Sequence, residues 1–196
     1  MKLFSFSLFM LMSSLGTLSF YSRYNDLMVN KSPLHLSEDT ARKPAITLEE
    51  SAVAPMIVLV IKDTAATTND ISAVLSKSYP ELFTFVRQNG LKPGKLMAFY
   101  YSSQPPFVME AGVEIDKMPN QTGGRIKINK VNGGNALIAH YSGPYDQIEI
   151  AYTAISNRLK EKNKVAGAPP FEVYLNDPYS VKDPFNLKTD VYQLLQ

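Results

Sequence analysis

The stretch of sequence that decides the fold is Ala136-Leu137-Ile138-Ala139-His140-Tyr141-Ser142-Gly143-Pro144. Its first six residues are mostly apolar, which is typical of a buried β-strand. The Ser-Gly-Pro that follows predicts the start of a helix, because proline is favoured at the first helical position. The apolar face of that helix consists of Ile148, Tyr152, Ile155 and Leu159. Residues 171–175 and a segment near 187–194 predict two further strands, so the order is strand-helix-strand-strand.

The same order occurs earlier in the chain, between residues 56 and 116. Residues 56–61 form an apolar, β-branched run that predicts a strand. The residues that predict the next element, an amphipathic helix, are Ile71, Val74, Leu75, Tyr79, Leu82, Phe85 and Val86. Pro80 lies inside this helix and removes a backbone hydrogen bond, which predicts a kink or a break near Ser78. Two antiparallel strands, 95–101 and 107–116, complete the unit.

The two units are copies of one repeat, related by a sequence offset of 74. This offset places Asn89 on Asn163 and Phe99-Tyr100 on Val173-Tyr174. Two strand-helix-strand-strand repeats, with helices over antiparallel strands, predict an α+β domain. Pseudo-symmetric halves commonly leave a groove where they meet, so we expect a ligand site at this junction.

The composition of the 196-residue chain excludes several classes of function. Cysteine is absent, which removes thiol catalysis, iron–sulfur clusters and disulfides. The two histidines, His35 and His140, are too few for a multi-histidine metal centre. The 20 basic and 18 acidic side chains give a net charge of +2, so nucleic acid is not an expected partner. No cofactor or metal is predicted, and the chemistry must rest on carboxylates and aromatics.

Alternation along the strands sorts the candidate site residues onto two faces of the sheet. In the first repeat one face carries Met109, Ala111, Val113 and Ile115, and in the second repeat one face carries Phe171, Val173 and Leu175. We expect these apolar sets to lie under the helices. The residues on the opposite faces are Glu110, Gly112 and Glu114 in the first repeat and Glu172 and Tyr174 in the second. The acidic and tyrosine residues are therefore expected to face away from the helices, toward solvent or the groove.

A carboxylate among tyrosines suits an organic cation, because each aromatic face adds about 0.5 to 2 kcal/mol of cation–π attraction. The candidate ligand-binding residues are Glu172, Tyr174, Glu110, Tyr100, Tyr141 and Tyr145. Plainer interpretations stay open for several of them. Glu110 and Glu114 also fit a solvated strand face, and the tyrosines fit ordinary core or rim positions. Residues 125–130 alternate basic and apolar side chains, which predicts a half-exposed strand rather than a phosphate site.

Three short motifs carry a family resemblance. They are Val-Met-Glu-Ala-Gly-Val at 108–113, Gly143-Pro144-Tyr145 after an Ala-x-His-Tyr strand, and Phe-Glu-Val-Tyr at 171–174. Their order resembles the GyrI-like (DNA gyrase inhibitor-like) small-molecule-binding domain, which also serves as the effector-binding domain of bacterial multidrug-responsive transcription activators. The resemblance spans residues 46–196. It implies a pocket between the repeats for flat, apolar, often cationic compounds, with Glu172 as the buried acid and Tyr174 beside it.

The chain departs from this family pattern in two places. The regulators of the family carry a helix-turn-helix domain upstream, whereas residues 1–54 hold an apolar leader and a polar linker, so direct gene regulation is not expected. The family also often has proline where this chain has Glu114, which adds an acid to the strand.

Residues 1–22 have the pattern of a signal peptide or of an amino-terminal membrane anchor. One positive charge precedes residues 3–20, which are uncharged and rich in Leu, Phe and Met. Residues 23–45 are polar and predict a linker, and residues 46–196 predict the folded domain. We therefore expect a protein exported to the bacterial cell envelope, either periplasmic or anchored in the inner membrane through residues 3–20.

The leading functional hypothesis is a stand-alone module that binds a small hydrophobic, aromatic molecule, with organic cations as the favoured class. An alternative is a hydrolase that opens strained electrophilic molecules with a pair of glutamates, Glu114 or Glu110 together with Glu172. A further alternative is haem binding with His140 as a ligand. The competing interpretation is that His140 is an ordinary hydrogen-bonded histidine in a strand. The sequence leaves these alternatives, the identity of the ligand and the oligomeric state open.

Overall fold

The computed structural model describes residues 42–196, so the predicted leader and nearly all of the predicted linker lie outside the described residues. The elements are β1 (Ala45–Val53), β2 (Met56–Ala65), α1 (Ile71–Gln88), β3 (Pro93–Tyr100), β4 (Phe107–Ile115), β5 (Ile126–Val131), β6 (Gly134–Ser142), α2 (Glu149–Glu161), β7 (Phe171–Tyr174) and β8 (Lys188–Leu194). Within the described part of the chain no helix is long and apolar enough to cross a membrane.

The predicted α+β fold of two repeats is confirmed. The eight strands form one antiparallel sheet in the order β1-β6-β8-β7-β3-β4-β2-β5. The first repeat is β2-α1-β3-β4 and the second is β6-α2-β7-β8. Strands β3 and β7 pair at the centre, so a pseudo-twofold axis passes between them.

Each repeat is preceded by a strand that joins the other repeat. Strand β1 pairs with β6 of the second repeat, and β5 pairs with β2 of the first. Strand β1 was not predicted, and exposed and half-buried side chains alternate along its first half. The exchange of leading strands ties the two halves together at both edges of the sheet.

The exchanged strands force the sheet to roll up. In the strand order β1 and β2 are six positions apart, which is about 29 Å in a flat sheet with 4.8 Å between strands. The chain passes from Val53 to Met56 in three residue steps, which reach about 11 Å at most. The same constraint applies to the step from β5 to β6, so the two edges of the sheet must approach each other.

Because the sheet is rolled, the face away from the helices is also buried. Its apolar residues form a cluster of Met56, Val58, Val60, Met97, Phe99, Val131, Phe171 and Val173. The rings of Phe171 and Tyr192 stack in this cluster at 5.0 Å. The sheet therefore has two cores, one beneath the helices and one inside its own curvature.

This second core overturns half of the predicted face assignment. In the first repeat Ala111, Val113 and Ile115 do pack beneath α1, as expected. In the second repeat the prediction is wrong, since Phe171 and Val173 point into the curvature of the sheet and Glu172 points toward the helices. Leu175 lies past the end of β7 and is exposed.

The expected break at Pro80 does not occur, because α1 runs without interruption from Ile71 to Gln88. Buried side chains on both sides of the proline, Tyr79 and Leu82 among them, hold the helix against the sheet. The packing of this face outweighs the one backbone hydrogen bond that Pro80 lacks.

Gly133 allows the two short connections to cross and gives a test of the rolled sheet. Its φ is +70°, and a Cβ there would lie 2.5 Å from the carbonyl oxygen of Val53 and 2.8 Å from the nitrogen of Pro55. We expect Gly133→Ala to lower the free energy of unfolding by about 3 kcal/mol, from backbone strain and the clash together. Gly90→Ala is the matched control, since Gly90 has a φ of +59° but open space, and it should cost only about 1 kcal/mol. Urea unfolding of the two variants measures the difference, and equal losses would contradict the close crossing.

Candidate functional site

Glu172 lies at the centre of the sheet, on its helix-facing side. It is directly opposite Ala98 on β3 and Val191 on β8, and only 4% of its surface is exposed. The short side chain of Ala98 leaves the space above the sheet to longer residues. A carboxyl group is therefore buried on the pseudo-twofold axis, between the two halves of the domain.

Two tyrosine hydroxyls hold the carboxylate of Glu172. Tyr174, two residues further along β7 and on the same face, donates to Oε2 at 2.8 Å. Tyr152 on α2 donates to Oε1 at 2.8 Å. Tyr152 belongs to the apolar stripe that turns α2 toward the sheet, so the same periodicity that forms the helix delivers the second hydroxyl.

Further tyrosines surround this group. Tyr145 precedes α2 in a short 3₁₀ turn, and its ring meets the edge of the Tyr174 ring with centroids 5.7 Å apart. Tyr100 on β3 lies within hydrogen-bonding reach of Tyr174. Tyr79 on α1 is buried and donates its hydroxyl to the carbonyl of Met97 at 2.9 Å. We refer to Tyr79, Tyr100, Tyr145, Tyr152 and Tyr174 as the tyrosine cluster.

The electrostatics of the cluster are those of a buried acid without a cation. Burial raises the pKa of Glu172 to about 7, although the hydrogen bonds from Tyr174 and Tyr152 pull it partly back. Burial, together with the charge of Glu172, raises the pKa of the surrounding phenols of Tyr100, Tyr145, Tyr152 and Tyr174. Among residues 42–196 no lysine, arginine or histidine forms an ion pair with Glu172. Neutral and charged forms of Glu172 are therefore both accessible near neutral pH.

The structure brings together four of the six residues that the sequence nominated for ligand binding, namely Glu172, Tyr174, Tyr100 and Tyr145. It places Tyr141 elsewhere, in the core beneath α2 with its hydroxyl donated to the carbonyl of Pro144 at 2.6 Å. The side chain of Tyr141 does lie on the helix-facing side of the sheet, but strand β8 separates its strand, β6, from β7. Strand order, which the sequence did not reveal, removes Tyr141 from the cluster.

Glu110 and Glu114 lie on the opposite face of the sheet from Glu172. Glu110 accepts hydrogen bonds from Tyr101 at 2.7 Å and from Asn129 at 3.2 Å. Glu114 accepts one from the backbone nitrogen of Lys95 at 3.1 Å. The expectation that either pairs with Glu172 in one catalytic site is wrong, because the sheet itself stands between them.

His140 is engaged at both ring nitrogens. Its Nδ1 is 2.7 Å from Asp190 on β8, and its Nε2 is 3.2 Å from Glu49 on β1. Burial lowers the pKa of His140, but the two carboxylates outweigh burial and raise it. The histidine links three neighbouring strands, and neither nitrogen is free for an iron ligand, so the haem alternative has no support in this geometry.

The sequence analysis did not nominate Tyr152 and Tyr79 for the site. Both were assigned to the apolar stripes of their helices, where a tyrosine usually serves packing. The internal repeat held the missing signal. Gly90 and Asn163 are the residues with positive φ that follow the two helices, so they occupy equivalent positions in the two repeats. The helices are therefore related by a sequence offset of 73, one less than the offset of 74 between the strands, and this offset makes Tyr79 and Tyr152 equivalent.

Two surface cavities lie near the carboxyl-terminal end of α2, and Glu172 is not among the residues that line them. They have volumes of about 270 and 230 Å³ and share Asn135, Lys164 and Leu195 as lining residues. They lie beside the ion pair of Lys164 with Glu50, at the end of α2 and the edge of the sheet. Both cavities therefore lie apart from the tyrosine cluster.

The buried carboxyl of Glu172 predicts a specific dependence of stability on pH. Its pKa of about 7 lies above the ordinary 4.5, so the stabilising neutral form is fully populated below pH 4.5 and lost as the pH rises through 7. We expect the free energy of unfolding to fall over this window by up to about 3 kcal/mol relative to Glu172→Gln, which does not titrate. Chemical unfolding of both proteins at a series of pH values measures this difference. Parallel profiles would contradict the raised pKa.

Comparison with known proteins places this geometry in a family. No curated protein is significantly similar in sequence. Among solved structures, EcmrR in an EcmrR–DNA complex superposes with a TM-score of 0.66 at 14% identity, over 92% of this chain and 65% of that one. The isolated C-terminal domain of EcmrR gives 0.66 at 15% identity, over 78% and 98%. SAV2435 bound to tetraphenylphosphonium gives 0.50 at 12% identity, over 76% and 94%.

At these identities the solved structures show a shared fold, and the chain spans about two thirds of EcmrR in its DNA complex. The family evidence comes from the sequence. Residues 48–195 match the GyrI-like small molecule binding domain. Because this match takes in both repeats and the whole tyrosine cluster, the protein belongs to the GyrI-like family of small-molecule-binding domains.

Proposed function

We propose that the tyrosine cluster binds an aromatic cation, with Glu172 as the counter-charge. The observation that carries this proposal is a buried carboxylate that only phenol hydroxyls contact and that no basic side chain among residues 42–196 neutralises. A protein that needed Glu172 for stability alone would gain from pairing it or from replacing it by an apolar residue.

The energetics favour a cation over a neutral ligand. A buried carboxylate carries a desolvation penalty of several kcal/mol, which hydroxyl donors only partly offset. A bound cation cancels that penalty, and each tyrosine face adds about 0.5 to 2 kcal/mol of cation–π attraction. The structure of SAV2435 bound to tetraphenylphosphonium supports the proposal, because that ligand is an aromatic cation held by the same fold.

Entry of the ligand requires side chains to move, since Glu172 is buried and two tyrosine hydroxyls cover its carboxylate oxygens. Tyr145 is the first candidate. It sits in the short turn before α2 and contacts the cluster through a ring edge rather than a hydrogen bond to Glu172. Displacement of Tyr145 would open the space beside the Tyr174 ring without breaking the hydrogen bonds that hold the carboxylate.

We also propose that the domain acts in the cell envelope. The uncharged residues 3–20 and the polar residues 23–45 motivate this proposal. Expression of the full chain with a carboxyl-terminal tag, followed by cell fractionation and amino-terminal sequencing, tests it. We expect the protein in the periplasmic or the inner-membrane fraction, and recovery in the cytosol with an intact leader would contradict export.

Binding of a permanently charged aromatic cation tests the main proposal. We expect tetraphenylphosphonium to quench the tyrosine fluorescence of the purified protein with a dissociation constant below the millimolar range. Glu172→Gln should weaken binding at least about tenfold, because it removes the counter-charge. Glu110→Gln is the matched control, since it removes a carboxylate from the opposite face and should leave binding unchanged.

The same titration, repeated over pH, identifies the carboxylate. The cation competes with the proton on Glu172, so affinity should rise about tenfold per pH unit below pH 7 and level off above it. Glu172→Gln should show no such dependence, since the ligand itself does not titrate. Failure to bind, or equal binding by Glu172→Gln, would refute the proposed role of the charge.

A further inference from the structure

The two repeats place equivalent residues on either side of the axis that crosses the cluster. Ala98 and Glu172 are equivalent and face each other, because the register pairs Met97 with Val173 and Phe99 with Phe171 symmetrically. The equivalent pairs around the cluster are therefore Ala98 and Glu172, Tyr100 and Tyr174, Tyr79 and Tyr152, and Met109 and Thr189. The last pair follows because Met109 lies opposite Tyr100 and Thr189 lies opposite Tyr174.

Where the two residues of a pair differ in polarity, the residue in the second repeat is the polar one. The second repeat has Glu172 and Thr189 where the first repeat has the apolar Ala98 and Met109. The tyrosines of the helices follow the same division. Tyr152 donates its hydroxyl to Glu172, whereas the hydroxyl of Tyr79 is taken up by the backbone of β3. One half of the cluster is thus polar and the other half apolar, on a nearly symmetric scaffold.

Thr189 adds an independent sign of a ligand. It is fully buried on the helix-facing side of β8, between Tyr174 and Tyr141 of the neighbouring strands. Its Oγ1 has no hydrogen-bond partner within the described part of the chain. An unsatisfied buried hydroxyl costs about 1–3 kcal/mol, and valine would fill the same volume without that cost. The side chains at positions 172 and 189 are diagonal neighbours about 7 Å apart, close enough for one nitrogen to reach both.

We propose that the bound ligand is a protonated amine that lies across the axis with a fixed orientation. Its two N–H groups donate to Glu172 and Thr189 in the second repeat, and its aromatic body covers Ala98 and Met109 in the first. This inference rests on the proposed cation site and adds two statements to it. The ligand carries a single charged end with two hydrogens to donate, and Thr189 selects for one of them.

A matched pair of ligands tests the role of Thr189. The first is a tricyclic aromatic with a methylaminopropyl chain, whose ammonium carries two N–H groups, and the second is its trimethylammonium derivative, which has the same ring system and charge but no N–H. At pH 7.5, where both are charged, we expect Thr189→Val to weaken binding of the amine about fivefold to tenfold and to leave the quaternary derivative unchanged. Thr189→Ser keeps the hydroxyl and should keep the affinity for the amine.

Ser78→Ala is the control for loss of a buried, unpartnered hydroxyl. The equivalent of Ser78 in the second repeat is Ala151, which lies on the face of α2 that packs against Leu137 and Ala139. We expect Ser78→Ala to bind both ligands like the wild type. Circular dichroism of each variant confirms that the fold is retained.

The orientation has its own readout. With methyl-labelled protein, nuclear Overhauser effects should join the Met109 methyl to the aromatic protons of the amine and the Thr189 methyl to its N-methyl group. The reverse pattern would overturn the orientation. Equal effects of Thr189→Val on the two ligands, or none on either, would refute selection by Thr189 while leaving the cation site intact. If the wild type bound neither ligand and also failed to bind tetraphenylphosphonium, the cation site and this inference would both fall.

Discussion

The structure depends on two connections that are too short for the strands they join. Val53 and Met56 belong to strands six positions apart in the sheet, and so do the ends of β5 and β6. The sheet must roll until its edges meet, and Gly133 is where the two connections touch. Rolling buries both faces of the sheet. The two halves then meet along the axis between β3 and β7, beneath their helices.

The site follows from that axis. A residue on β7 that points to the helix side is covered by both halves, so Glu172 is buried although each repeat alone would leave it at an edge. The packed tyrosines exclude water, and this exclusion raises the pKa of Glu172. One charge on a nearly symmetric scaffold makes the two halves chemically different, and this difference is the basis of the oriented binding that we propose.

Much of this was predictable from local pattern. The apolar runs and helical stripes located the two repeats, and the Phe-Glu-Val-Tyr motif singled out Glu172 and Tyr174. The face assignment failed in the second repeat because alternation only separates faces when one of them is solvated, and here both are buried. Strand β1 escaped detection because its alternation is between exposed and half-buried side chains, which leaves little apolar signal.

The sequence by itself determined every element except β1, together with their repetition and the types of side chain available, because periodicity, turn residues and side-chain types are local properties. Only the tertiary structure decided which residues share a site. Tyr152 joins Glu172 from another element, and Tyr141 is excluded because β8 lies between its strand and β7. Glu110 and Glu114 are excluded because the sheet separates them from Glu172. Strand order and curvature are global properties of the chain, and they arise from the exchange of leading strands, which no local pattern encodes.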